Sequence, residues 1–237
     1  MTESFWPCLP VCLATVANKN AAETCGVDLT KQITWDSMLE DGKKLHAENP
    51  DYYYLNTDTK ILCEYVLRPY LRQMTGESFI IDSEKKMSFT REQLVEVLTY
   101  IKDCYDGGVF EPAEDSATFK GQIHTNPKWM DGKFVFAYGP SSSINLLMDA
   151  VPEAECTVVQ MPMAEDRVND GFFADTPQYM TVNKNSEHVE EAVDFLNYFY
   201  NNAEAQETLK DVRSIPPTST ARQLCADKGL LNQTVVD

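Results

Sequence analysis

Apolar positions recur along this chain with two periods, and the helical one is the easier to follow. Behind Thr34, the residues Trp35, Met38, Leu39 and Leu45 repeat at helical spacing, which predicts a helix closing at Asn49-Pro50. A second predicted helix opens at Thr57, turns Ile61, Leu62, Tyr65 and Val66 inward, and ends or kinks at Pro69. Thr90 and Gln93 have the spacing of a capping box, with Phe89 placed to staple onto Leu94. Leu94, Val97, Leu98, Ile101 and Tyr105 then share a face until Gly107-Gly108 stops the helix. The serines at 141–143 cap a short helix over 144–149. Ser186 caps another whose apolar side is Val189, Ala192, Val193, Leu196 and Phe199, and residues 203–212 form a further one. Short strands are predicted at 134–137, 157–160 and 179–182, and the Tyr52–Tyr54 trio reads either as loop aromatics or as a strand with Tyr53 inward. Helices alternating with short strands make an α/β layered protein.

Composition narrows this picture. The 237 residues are 43% apolar and 11% aromatic, enough for a real core in one large or two small domains. A formal charge of −17 excludes a nucleic-acid partner, because phosphate binding needs clustered Lys and Arg, and it disfavours anionic membranes. The apolar stretch at 5–17 is too short to span a bilayer and holds two prolines, and no later stretch reaches a membrane-spanning length. The start has Glu3 where a secretory signal has basic residues, so neither a signal peptide nor a transmembrane segment is expected here. Seven scattered cysteines read as free thiols, and Cys8 and Cys12 lack a second pair to complete a zinc site.

Signatures of covalent chemistry are missing. His46, His124 and His188 are far apart and fit no metal-binding pattern. Ser141–Ser143 lack the Gly-x-Ser-x-Gly frame of a nucleophile elbow, and the ten glycines form no phosphate loop. No enzyme activity, cofactor or metal is therefore expected. More suggestive are the aromatics near loops and strand ends, namely Trp129, Tyr138 and Phe172-Phe173 beside the tyrosine trio. Flat rings stack on sugar faces while neighbouring Asp, Asn or Ser hold hydroxyls.

The order of short motifs resembles the extracellular solute-binding proteins of bacterial carbohydrate ABC importers. Asn18-Lys19-Asn20, Cys25-Gly26-Val27-Asp28, Thr34-Trp35-Asp36 and Lys43-Lys44-Leu45 are similar to that family's opening series. Tyr100–Asp103 with Asp106-Gly-Gly-Val109 and Pro112, then Trp129-Met-Asp-Gly-Lys through Tyr138-Gly139-Pro140, continue it. Val158–Pro162, Tyr179–Ala192, Phe195–Phe199, Ala203–Gln206 and Ile215-Pro216 complete it, so the resemblance covers about 18–220.

This resemblance implies a periplasmic-binding-protein-like α/β fold of type II, in which a sugar sits in a cleft between two lobes. It implies residues 1–177 as the second, C-terminal-type lobe and 178–237 as a crossover strand and helices of an incomplete first lobe. The implied ligand-facing residues are Trp129, Tyr138, Ser141, Phe172, Phe173 and Asp175, the last accepting hydroxyl hydrogens. A permease would be the partner, on the extracellular side of the membrane. Family members carry a lipobox-bearing signal and most of a first lobe ahead of the Asn-Lys-Asp motif, whereas seventeen residues precede Asn18 here. They also run well past the Ile-Pro motif, while this sequence ends at Asp237. A truncated form with impaired binding is the expectation, together with self-association through the apolar faces of 179–182 and 187–201. The alternative is a structural lobe that binds no solute and acts through oligomer contacts.

Overall fold

A computed structural model describes residues 5–7, 11–172, 174–175, 179–211, 216 and 218–231. Its strands are β1 (Phe5–Pro7), β2 (Val11–Asn18), β3 (Tyr53–Asn56), β4 (Ile80–Ile81), β5 (Lys86–Met87), β6 (Phe134–Pro140), β7 (Cys156–Val159), β8 (Ala174–Asp175) and β9 (Tyr179–Thr181). The strands predicted around 134, 157 and 179 are present, and helices alternate with strands as expected for an α/β protein. No helix among the described residues is long and apolar enough to cross a membrane. The chain divides into two compact units. One comprises Leu13–Gly139 and Leu146–Phe173, and the other comprises Met1–Cys12, Pro140–Asn145 and Ala174–Asp237.

The larger unit is built on a sheet of order β3-β6-β2-β7, with β3 parallel to β6 and β2 antiparallel to β7. The strand β2 was not predicted. It is buried on both faces (Ala14, Thr15, Val16 and Ala17 are at most 7% exposed), so it reads as an unbroken apolar run without alternation. In β3 the inward residues are Tyr54 and Leu55, whereas Tyr53, predicted inward, is half-buried and stacks on His46 with ring centroids 4.8 Å apart.

Helices cover this sheet where local caps start them. Thr34 caps Trp35–Glu48 through the Ser37 N–H, and Ser37 returns the bond to the Thr34 N–H. Trp35 stacks on Tyr70 at 4.9 Å and meets Tyr100 edge-on at 5.9 Å, while the Tyr100 hydroxyl donates to the Trp35 carbonyl at 2.9 Å. The predicted box at Thr90 and Gln93 opens Arg91–Asp106. Its buried stripe is Val97, Tyr100 and Cys104. Leu98, expected inward, is 49% exposed, and Phe89 pairs with Phe79 at 4.8 Å. Tyr100 and Cys104 outrank Leu98 because the helix rolls to seat Tyr100 on Trp35.

Asp58, not Thr57, caps the second helix. Pro69 neither ends nor sharply breaks it: the chain widens into a π-helical turn over Leu62–Leu67 and continues as Arg68–Thr75. Proline has no N–H for the carbonyl four residues back and its ring crowds that carbonyl, which a π turn relieves. Gly42 lets the first long helix approach its neighbours. A Cβ there would stand 2.8 Å from Val109 Cγ1, so Gly42→Ala is expected to lower the unfolding midpoint in urea despite alanine's better helix propensity.

In the smaller unit β1 and β9 form an antiparallel ribbon, and Val11 and Cys12 pair with Asp175 and Ala174 of β8. Helices Val189–Asn201, Ala203–Leu209 and Ser219–Asp227 bury Leu196, Tyr200, Ala205, Ala221 and Cys225. His188 occupies the first cap position without a side-chain bond. Ser186, expected there, accepts the His188 N–H in the preceding turn. Residues 212–215 lie outside the described set, and the helix begun at Ala203 is described to Leu209.

Candidate functional site

Parallel α/β strands tend to receive ligands beyond their carboxyl ends, where helix starts and loops converge. In the larger unit that edge is formed by β3, by the segment at Phe110 that bridges Leu55 in parallel, and by β6. Asn56, Thr57 and Asp58 leave β3 fully buried. The Asp58 carboxylate is held by two backbone donors, Ile61 N–H at 2.8 Å and Gly121 N–H at 2.6 Å. Asn56 Nδ2 donates to the Ile123 carbonyl at 2.9 Å, while its Oδ1 is buried without a partner among the described residues. These bonds fix the turn and present Thr59 and Lys60 to solvent.

Beside it lies Glu111, 1% exposed, which accepts from Asn126 Nδ2 and from Lys128 Nζ at 3.0 Å. Lys128 also reaches Asp115 at 3.1 Å and stands 5.2 Å from the Tyr53 ring centroid. Partial burial lowers the Lys128 pKa, but the bonds to Glu111 and Asp115 outweigh it and the net direction is upward. Glu111 is thereby a neutralised frame element.

The residues expected to face a ligand divide sharply. Trp129 is completely buried, and its indole N–H donates to the Leu147 carbonyl at 2.9 Å. Tyr138 is 3% exposed, with its hydroxyl 3.6 Å from Met38 Sδ. Burial, helped by Tyr54, pushes its phenol well above the ordinary range. Both rings are therefore buried among the described residues, whereas the expectation turned them toward a ligand. Ser141 opens a 3-10 turn ahead of Ile144–Asp149 and is 5% exposed. Phe172 is half exposed. Asp175 lies in β8, its side chain outside the described set, and Phe173 lies outside it altogether.

At the opposite, amino-terminal edge of the same sheet is an open groove of about 570 Å³. It gathers Asn18 from the end of β2, Tyr52 ahead of β3, the Met130–Gly132 turn ahead of β6, and the 150–154 loop ahead of β7. Asn18 is 1% exposed, and its Oδ1 caps Lys19–Thr24 by accepting the Ala21 N–H at 3.0 Å. Its Nδ2 turns toward Gly132, whose φ of +69° suits a residue without a side chain.

A family model described as bacterial extracellular solute-binding protein matches residues 11–229 of the chain. The chain belongs to the bacterial extracellular solute-binding protein family. Solved structures of the family share its fold. A periplasmic solute-binding protein from Pectobacterium atrosepticum has a TM-score of 0.85 at 21% identity, covering 95% of this chain and 56% of its own. A periplasmic oligogalacturonide binding protein from Yersinia enterocolitica, in complex with saturated digalacturonic acid, has a TM-score of 0.84 at 24% identity, with coverages of 97% and 57%. An ABC substrate-binding protein from Listeria monocytogenes, in complex with cycloalternan, has a TM-score of 0.69 at 20% identity, with coverages of 100% and 58%. The chain thus spans little more than half the length of these relatives. No curated protein gives a significant match.

The buried triplet Asn56-Thr57-Asp58 and the groove were both missed by sequence reasoning. The one local signal was Asp58 three residues ahead of Ile61, an N-cap spacing that was assigned to Thr57. The cysteines expected as free thiols are free where described; Cys104 and Cys225 are buried, and Cys63 is exposed. Burial pushes the Cys104 thiol up to about 12 and Cys156 up to about 11. Since the thiolate is the nucleophile, iodoacetamide at neutral pH is expected to label Cys63 well before Cys104, as read by mass spectrometry. A raised native pKa stabilises the fold fully below the ordinary thiol value of 9.0, and this is lost as pH rises toward about 12.

Proposed function

We propose that this chain binds carbohydrate, a neutral sugar or oligosaccharide, for an ABC-type importer and its permease on the extracellular side of the bacterial membrane. The observation that carries this reading is the carboxyl edge of the parallel strands. There the Asn56–Asp58 bonds spend buried polar groups on holding one turn and leave Thr59 and Lys60 open to solvent. The ligands of the Yersinia and Listeria relatives are saccharides, and a charge of −17 favours neutral ones here. Phe172 supplies an exposed ring, whereas Trp129 and Tyr138 are buried. For Ser141, Phe173 and Asp175 the support is the resemblance of their segments. Lys60→Ala and Thr59→Ala, both at exposed positions, are expected to leave folding intact and weaken oligosaccharide binding severalfold in calorimetric titration. Unchanged affinity in both would move the site elsewhere.

A second reading is self-association without solute binding. It is favoured by the helix Val189–Asn201, which leaves Phe195 59% and Tyr198 45% exposed on one side. Phe195→Ser with Tyr198→Ser is expected to convert a dimer to a monomer in light scattering. A wild-type chain that is monodisperse and monomeric at high concentration would end this reading.

A further inference from the structure

We propose that the groove at the amino edge of the sheet is a second binding site, for a neutral polyhydroxylated ligand of the mono- or disaccharide class. It lies at the opposite end of the sheet from Thr59 and Lys60 and does not depend on binding there. Its floor is Asn18. The side chain is almost wholly buried, its oxygen is spent on the Ala21 N–H, and its Nδ2 faces the groove beside Gly132 with no hydrogen bond among the described residues. An amide donor left without a protein partner at the floor of a groove is open to an acceptor that the groove admits.

The rim has the complementary chemistry. Asp131 and Glu153 are exposed carboxylates at the mouth. The two cations nearby are engaged: Lys19 pairs with Glu155, and Lys133 Nζ sits 4.4 Å from the Tyr52 ring centroid. Met130, 54% exposed, adds an apolar lining residue. A ligand here must accept a hydrogen bond at the floor and donate at the rim. Ammonium groups only donate and leave Asn18 unpaired. Phosphates and carboxylates only accept, and would face Asp131 and Glu153. Hydroxyls do both, and the volume of about 570 Å³ falls in the range of small-molecule sites.

The test is a titration of isotopically labelled protein with D-glucose and with maltose, followed by nuclear magnetic resonance at the Asn18 side-chain amide and the Gly132 backbone. Saturable shifts at both are expected. Asn18→Asp keeps an N-capping oxygen but removes the donor, and is expected to weaken binding about tenfold or more. Glu153→Gln, on the exposed loop, is expected to weaken it about threefold. The proposal is overturned if neither sugar shifts these resonances, or if shifts are confined to Thr59 and Lys60. It is also overturned if Asn18→Asp and Glu153→Gln bind like the wild type, or if triglycine moves Asn18 while the sugars do not, which would make the groove a peptide site.

Discussion

Replacing Gln73 with alanine is expected to destabilise the larger unit by about 3–5 kcal/mol. Gln73 is fully buried and all four of its amide valences are used. Its Oε1 accepts from the Trp35 indole at 2.7 Å and the Ala164 N–H at 2.8 Å, and its Nε2 donates to the carbonyls of Pro162 at 2.9 Å and Asp170 at 3.1 Å. The Gln73 carbonyl also accepts the Val168 N–H at 2.9 Å, and Gly171 approaches so closely that a Cβ would lie 2.7 Å from Gln73 Cγ. One side chain therefore ties the 161–171 loop, and with it the exposed Phe172, to the helix Arg68–Thr75. Alanine would orphan two donors and two acceptors inside the protein. Gln73→Glu keeps both acceptors but sets a buried carboxyl against the Pro162 and Asp170 carbonyls, so its loss should be greatest at neutral pH and should diminish as pH falls and the carboxyl gains a proton. Urea unfolding of the three proteins, with Gln73→Glu at two pH values, checks this. A Gln73→Ala midpoint equal to the wild type would mean that the loop does not depend on this amide.

Trp129→Ala should cost a similar amount, about 3–5 kcal/mol, because it removes a completely buried indole and leaves the Leu147 carbonyl without its donor. This substitution also separates two roles for the residue. A frame residue changes stability first, and Trp129→Phe, which preserves much of the volume, should recover a large part of the loss while leaving sugar affinity near wild type. A ligand-stacking residue would show the reverse: normal stability with affinity lost. Thermal unfolding beside calorimetric titration of the same variants distinguishes them.

The helices were legible where their signals are local. Thr34 and Thr90 cap through partners three residues away, and both caps form as the spacing predicts. The sheet was harder to read. The strand β2 lies between two neighbours and lacks the alternation that marks a half-buried strand. Face assignment in the helix Arg91–Asp106 failed because Tyr100 finds Trp35, 65 residues away, and no pattern within the helix encodes that contact. The same limit applies to the site. Asn56 Nδ2 and the Asp58 carboxylate bond to Ile123 and Gly121, 67 and 63 residues later in the chain, so a run that looks like a solvated helix start is interior. Aromatics flagged as sugar-stacking had no such marker of burial: Trp129 and Tyr138 are closed off, Phe172 is open, and only tertiary packing separates them.

Carbohydrate binding at the carboxyl edge is tested most directly by thermal unfolding in rising concentrations of neutral and acidic oligosaccharides, using wild type, Lys60→Ala and Asn18→Asp. Binding to the folded state raises the midpoint continuously with ligand concentration. The predicted result is such a rise with at least one neutral oligosaccharide, retained in Asn18→Asp and reduced in Lys60→Ala. A folded sample whose midpoint stays flat across the whole panel would contradict carbohydrate binding by this chain.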